Sequence, residues 1–500
     1  MTAADERVTS SAPAQSAWQR HLLAPILLLS AVLGVIALGT RSFWLDEGTS
    51  ITIAKLPWSG FVDVTERREG NMSLYHLLLS WWMEVGDSEF WIRLLSVIFF
   101  VIAVWALYAV ARRLASERVA LTAALLLAVC PFAIRYAQEA RGYILGLLLV
   151  TVATLLFVRA LDRQTWGLWL AYSLFAALGV YAHFFALLVP AAHAVSLVFV
   201  APERLRWRKL IGAAVAIGVL LLPFAYLLSQ NTSSGVEWAA GNPIGRIFTQ
   251  IHDRPPLAAA VVLLGAVVVV ALYLLLRSRL GARLRSDEVW RWALPLSWLL
   301  VPLVAMSLVA VVIRPLFVPK YFIVCLPAAL LLVAMLIDRI RARQLALGLV
   351  GLIVVVSLAA DLRWYRTGQE EDWRHATAYV VDSAQPGDGV MFYPPYVRIP
   401  FALYLDRDST RDRAPPPVYP SAGFTGDEIR YDYYIPITEN AVARAAAGYR
   451  QIYLVTSHTF LNGEADPGYE ATVDGLRAAG FSEGPSRHFT GVDVVRYDAD

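Results

Sequence analysis

Apolar runs of about 18 residues or more recur from Leu22 to about Asp361, and short arginine-rich connections separate many of them. No side-chain chemistry compensates so much continuous apolar surface in water. In a bilayer the backbone of such runs must satisfy its own hydrogen bonds, so the runs predict helices. Candidate spans lie at about 22–39, 93–111, 119–134, 143–160, 166–182, 184–201, 210–229, 257–276, 292–313, 321–338 and 344–361. The composition agrees, with 58% hydrophobic and 17% charged residues, against about 25% charged in soluble domains. A net charge of +3 gives no sign of a nucleic-acid partner, because the excess sits in the connections between runs. Cys130 and Cys325 both fall in apolar stretches, so no disulfide staples the polar regions.

One segment decides the topology. "SLYHLLLSWWMEVG" (73–86) is apolar but covers only about 14 residues, roughly 20 Å as a helix, short of a bilayer core. If it lies at the interface, Arg112/Arg113/Arg118, Arg159/Arg163, Arg204/Arg206/Arg208/Lys209, Arg277/Arg279/Arg283/Arg285 and Arg339/Arg341/Arg343 all share one side with the N-terminus. Counting it as a span would place every cluster outside, against the positive-inside rule. The expected architecture is therefore a polytopic α-helical membrane protein with about eleven spans. Residues 1–21 are expected to be cytoplasmic and Leu22–Gly39 an uncleaved first span, within a membrane domain over 22–364.

Four outer pieces follow from that topology: a first loop (40–92), "RYAQEARGY" (135–143), a long loop (230–256) and "RPLFVPK" (314–320). The chain then changes character over 365–500. Proline-rich turns separate strand-like runs (389–393, 451–456, 492–497) and helical stretches (372–383, 437–447, 470–479). Such alternation predicts a small α/β domain on the outer face, with a structural or acceptor-docking role.

The outer pieces gather the candidate chemistry. "FWLDEGTS" places Asp46 and Glu47 just beyond the first span, in a loop whose aromatic residues suit helices lying flat on the membrane. Partial shielding there would raise a carboxylate's pKa toward the range of a general base. Surface acids are ordinarily just solvated, so the pair gains meaning from its neighbours. Arg135, Gln138, Glu139, Arg141 and Tyr143 crowd one outer turn. Positive charge on that face runs against the topology rule, and a phosphate ligand accounts for it, since guanidinium matches phosphate oxygens in a fork. Arg314 and Lys320 add two cations beside another span, where lipid-headgroup anchoring is the alternative.

In that order, "FWLDEGTS", "SLYHLLLSWWMEVGDSEFWIRLLSVIF" and "RYAQEARGYILGLLL" resemble the integral-membrane glycosyltransferases of the C fold (GT-C). They are most similar to the superfamily of protein O-mannosyltransferases and lipid A aminoarabinose transferases, glycosyltransferase family 39-like. "EDWRHATAYVVDSAQPGDGV" (371–390) is similar to the start of the outer domain in bacterial members. Two departures stand out. Bacterial relatives often carry His or Lys and then Pro-Pro before the Leu-Tyr pair, where this chain reads Asn71-Met72-Ser73-Leu74-Tyr75. That contact is either missing or comes from Asn71 or His76. Lys320 stands where an Arg before Tyr is common.

The resemblance implies a sugar donor on a polyprenyl phosphate and an acceptor hydroxyl on a lipid, glycan or protein. Asp46 is then expected to take the acceptor's proton during inverting attack, with Glu47 orienting the acceptor or tuning Asp46. Arg141, supported by Arg135 and Lys320, is expected to hold the leaving phosphate, with Glu139 pinning Arg141. Gln138, Tyr143, Tyr75 and His76 are supporting candidates; Glu237, Trp238, Arg246, His252 and Asp253 are acceptor or lid candidates. No cofactor is certain. An acidic pair can hold a divalent cation, but no third acidic ligand is obvious. Three rival readings remain: a glycan ligase or polymerase using a lipid-diphosphate donor, a lipid-linked-sugar transporter, and an outer-surface binding or sensing protein.

Overall fold

The computed structural model describes residues 22–67, 70–230, 285–312, 319–421, 423–424, 437–461 and 464–500. The predicted span 257–276, loop 231–256 and Arg314 lie outside the described residues. The chain opens with α1 (Leu23–Val35), and its first polar loop folds into α2 (Leu45–Lys55), α3 (Trp58–Arg67) and α4 (Ser73–Met83). Helix α4 has 11 residues, about 16 Å of rise, half of a hydrocarbon core. On α3, Phe61 and Val64 are buried with Ile53 of α2, while Trp58 stays exposed and stacks on Phe61 at 5.6 Å.

Polar punctuation turns the next runs into helices. The Ser88 hydroxyl accepts the Trp91 N–H at 3.1 Å and starts α5 (Glu89–Leu114). Ser116 does the same for Val119 at 3.2 Å at the head of α6 (Glu117–Ala128). Each capped helix has a glutamate in its first turn, where the helix dipole favours negative charge. The predicted span 119–134 is broken: α6 and α7 (Pro131–Ala137) meet at 57°. Pro131 disfavours helical backbone at Cys130 and then serves as the first residue of the new helix.

Helices α8 (Tyr143–Arg163) and α9 (Trp166–Ala182) follow. The predicted span 184–201 begins as a 3-10 turn before α10 (Leu188–Ser196). The predicted span 210–229 divides into α11 (Trp207–Leu220) and α12 (Leu222–Gln230). Beyond come α13 (Asp287–Val312), α14 (Leu326–Asp338) and α15 (Arg343–Thr367). Among the described residues five helices are long and apolar enough to cross a membrane, or six if the bent pair is one span. Ion pairs Arg113–Asp162, Arg204–Asp162, Arg204–Asp287 and Arg118–Asp338 tie several arginine-rich helix ends together.

The C-terminal part carries α16 (Trp373–Ser383), β1 (Asp388–Tyr393), α17 (Arg398–Arg407), β2 (Pro417–Tyr419), α18 (Glu439–Ala446) and β3 (Gln451–Thr456). A short hairpin, β4 (Phe460–Leu461) with β5 (Glu464–Ala465), precedes α19 (Pro467–Ala478), β6 (Phe481–Phe489) and β7 (Val492–Ala499). The five-stranded sheet runs β2-β1-β3-β7-β6. Strand β1 is parallel to β2 and β3, whereas β7 is antiparallel to β3 and β6. The sheet layer and the helical bundle share one core: Trp373, Phe401 and Tyr404 pack in the same cluster as Phe43 and Phe100.

A buried ion pair joins the pieces. The Arg93 guanidinium donates to both Glu47 oxygens at 2.7 and 2.6 Å, and to the carbonyls of Leu38, Arg41 and Ser42 at 2.9–3.0 Å. The Ala140 N–H donates to Glu47 at 2.9 Å. Both side chains are nearly inaccessible, so each charge depends on the other. Arg93→Met and Glu47→Leu should each destabilise the protein by about 3–5 kcal/mol. The double variant should lose less than the sum, read as melting temperatures in detergent.

Candidate active site

Asp46 and Glu47 occupy the first turn of α2, where neighbours in sequence diverge by about 100° around the helix axis. The two carboxylates consequently face different surroundings. Glu47 turns inward to Arg93, and its oxygens are taken up by that guanidinium and the Ala140 amide. Its carboxylate is thus engaged inside the fold, where the sequence suggested that it orients the acceptor or tunes Asp46.

Asp46 is half-buried beside two cations. Its Oδ2 lies 3.1 Å from Lys320 Nζ and 3.7 Å from an Arg141 guanidinium nitrogen. Arg141 also donates to the Asp46 carbonyl at 3.3 Å and to the Ser50 hydroxyl at 3.2 Å. Lys320 sits over the rings of Trp44 and Tyr143 at 5.5 and 5.7 Å. Burial alone would raise the Asp46 pKa, as expected from the sequence. The charges of Lys320 and Arg141 outweigh it and hold the carboxylate below its ordinary range.

The turn bearing Arg141 is built by close packing. A Cβ on Gly142 would stand 2.7 Å from the Ala182 carbonyl oxygen, so only glycine lets this turn press against the end of α9. Tyr143 packs edge-on against Tyr136 at 5.0 Å. Gln138 holds structure: its amide nitrogen donates to the Gly34 and Ile36 carbonyls, and its oxygen accepts from Arg41 and Trp364. Tyr75 hydrogen-bonds Ser96 at 3.1 Å, and Ser96 donates to the Glu139 carbonyl. His76 is fully buried, and burial followed by the Arg141 charge pushes its pKa down to about 3, a neutral ring. Asn71 accepts the Phe184 N–H at 2.9 Å.

Two expectations change. Arg135 pairs with Glu370 and stacks over Trp364 at 5.2 Å, so it stands in a different set of contacts from Lys320. Glu139 faces Arg135 at 3.5 Å instead of pinning Arg141, whose carboxylate partner is Asp46. The acceptor or lid candidates Glu237, Trp238, Arg246, His252 and Asp253 lie outside the described residues. Among the described residues no group of three or more His, Cys, Asp or Glu stands together to hold a metal ion. A small cavity of about 20 Å³ opens on the Glu139 side, lined by Trp44, Glu47, Glu139, Trp364 and Glu370; Asp46 is not in its wall.

Sequence reasoning missed Arg93, Glu370, Glu371 and His183. Arg93 did leave a signal, a lone arginine at the head of an apolar run. His183 sits in the break after α9, buried between Tyr143 and Tyr321 at 5.6 and 5.7 Å.

Burial, and then the Glu370 charge, push the Glu139 pKa up to about 8. A carboxyl raised in the folded state holds its proton at neutral pH, so stability falls as pH climbs from the ordinary carboxylate range through that value. Glu139→Gln keeps the neutral shape and removes the titration. It should flatten the decline, measured as melting temperature in detergent from mildly acidic to alkaline pH.

A sequence profile described as dolichyl-phosphate-mannose-protein mannosyltransferase matches residues 74–228. No curated protein matches the chain. Among solved structures, ArnT from Cupriavidus metallidurans, determined bound to undecaprenyl phosphate, is similar with a TM-score of 0.57 at 12% identity, covering 97% of this chain and 98% of that one. The archaeal oligosaccharyltransferase AglB from Archaeoglobus fulgidus, in complex with an inhibitory peptide and a dolichol-phosphate, is similar with a TM-score of 0.50 at 12% identity, covering 96% and 74%. The chain thus has the GT-C fold of membrane glycosyltransferases, and its residues 74–228 are similar to the protein mannosyltransferase family.

Proposed function

We propose that this protein is an inverting glycosyltransferase, moving a sugar from a polyprenyl-phosphate donor to an acceptor hydroxyl at the outer face of a membrane. One observation carries the reading: Asp46 meets Lys320 and Arg141, brought from separate parts of the chain, at one half-buried position. A base beside two cations suits a reaction that removes a proton at one atom and expels a phosphate at another. The lipid phosphates bound to ArnT and AglB support the donor class. In this reading residues 1–21 are cytoplasmic, 22–364 form the membrane domain, and 365–500 lie outside.

The donor phosphate docks on Arg141 and Lys320. Its negative charge weakens the hold of those cations on Asp46, and the Asp46 pKa rises toward the working range. The base is therefore armed by the donor. Asp46 takes the acceptor O–H proton while that oxygen bonds to the anomeric carbon from the face opposite the phosphate. The bond from carbon to phosphate oxygen breaks, and its electron pair stays on the phosphate. Arg141 and Lys320 meet the charge that grows there, where fixed cations contribute most to rate. Glu47 acts through placement alone.

Asp46→Asn should lower transfer by about 10²–10⁴-fold while leaving folding and polyprenyl-phosphate binding intact. The readout is mass spectrometry of envelope glycans and accumulated lipid-linked sugar in a deletion strain carrying the variant. An unchanged envelope in the deletion strain itself counts against the transferase. Lys320→Met removes a charge that favours the Asp46 carboxylate, so the acid limb of the transfer rate should move to higher pH. That is checked by glycan incorporation at a series of external pH values.

A further inference from the structure

Helix α2 begins without a side-chain cap of its own. Trp44 precedes its first residue, and an indole offers no oxygen to the free N–H groups of a helix start. The acceptor comes from 326 positions further along the chain, where Glu371 Oε2 takes the Leu45 N–H at 2.8 Å. A carboxyl group there also meets the positive end of the helix dipole. Glu371 is itself held: the same oxygen accepts the Trp373 indole N–H at 2.5 Å, and the other faces His458 Nε2 at 3.4 Å. Leu45 and Glu371 are both buried, so losing the contact would leave a backbone donor unpaired inside the fold.

Neighbouring contacts join the same two parts. Tyr404 accepts the Phe43 N–H at 2.8 Å, and the Arg374 N–H donates to the Ser42 hydroxyl at 3.2 Å. The lead-in to α2 is thus fastened to the C-terminal part at Ser42, Phe43 and Leu45. The bundle takes hold two positions on, through Glu47 and Arg93. Asp46 stands between the two anchors, with Leu45 held from one side and Glu47 from the other.

We propose that Glu371 is a positioning residue for the transfer reaction, capping α2 from the C-terminal part and thereby fixing Asp46 against Lys320 and Arg141. The inference rests on the transferase reading above. Glu371 acts through the backbone of Leu45 and not on the reacting groups. Without the cap the first turn is free to shift, and a base displaced by about 1 Å can cost roughly 10²-fold in rate. Burial pushes the Glu371 carboxyl up to about 7, so a neutral amide is close to its form near neutrality. Glutamine at this position keeps an oxygen for Leu45 and Trp373, whereas alanine offers none.

The test places full-length Glu371→Ala and Glu371→Gln in a deletion strain, beside the parent and Asp46→Asn. Three quantities are read: abundance by immunoblot, binding of undecaprenyl phosphate by the purified protein in detergent, and envelope-glycan incorporation by mass spectrometry. Expected for Glu371→Ala is a loss of about 10–100-fold in incorporation, with abundance and undecaprenyl-phosphate binding like the parent's. Glu371→Gln should recover most of the incorporation. Parental incorporation by Glu371→Ala beside an inactive Asp46→Asn overturns the positioning role and leaves the transferase standing. A loss in Glu371→Ala that abundance or undecaprenyl-phosphate binding shares in proportion also overturns it, by showing support of the whole fold. Glu371→Gln as impaired as Glu371→Ala overturns it too, because an acceptor oxygen for Leu45 would then not suffice. Parental incorporation by Asp46→Asn overturns the transferase reading itself.

Discussion

The pairing of Glu47 with Arg93 organises the end of the bundle on which the sheet docks. One guanidinium gathers a carboxylate and three backbone carbonyls. It thereby fixes the exit from α1, the start of α2 and the head of α5 relative to each other. The same carboxylate holds the Ala140 amide, next to Arg141. An arginine without that carboxylate would be an unpaired charge in an apolar bundle, and so would the carboxylate without the arginine. The direction of Asp46 follows from this arrangement, because anchoring Glu47 sets the rotation of the helix on which both stand.

The electrostatics around Asp46 differ from those of an isolated buried acid. Desolvation acts against its ionised form, yet two cations keep it ionised. Glu139 has the reverse balance: its carboxyl oxygens make no hydrogen bond among the described residues, and it holds its proton. Two acids a short distance apart in the fold are thus assigned opposite states by their neighbours, without any difference in intrinsic chemistry.

Much of this was legible in the sequence, for physical reasons that can be named. Apolar length marks Glu89–Leu114 and Tyr143–Arg163 as long helices, because hydrophobic runs have few other solutions. The breaks were less legible. The run 119–134 reads as continuous until Pro131 is weighed against Cys130. In the C-terminal part β1, β3 and β7 stand out as apolar runs, but β6 reads "FSEGPSRHF", an exposed edge strand whose register shifts between Glu483 and Ser486. Helix α17 is buried almost along its whole length, so it has no polar stripe to reveal its period. Residue type singled out Asp46, Arg141 and Lys320, since cations on the face opposite the arginine clusters run against the topology rule, and the fold brings the three together. It could not separate the roles of Asp46 and Glu47, which depend on rotation about a helix. Nor could it bring Glu371 to the head of α2, since that contact depends on how the sheet docks.

The docking of sheet on bundle also joins the two ends of a long assembly sequence. Tyr404 accepts the Phe43 N–H from 361 positions away, Glu371 accepts the Leu45 N–H from 326 away, and Lys320 reaches Asp46 across 274. The early helices enter the membrane long before these partners leave the ribosome. A nascent chain therefore carries its early carboxylates without the cation and the cover that later surround them.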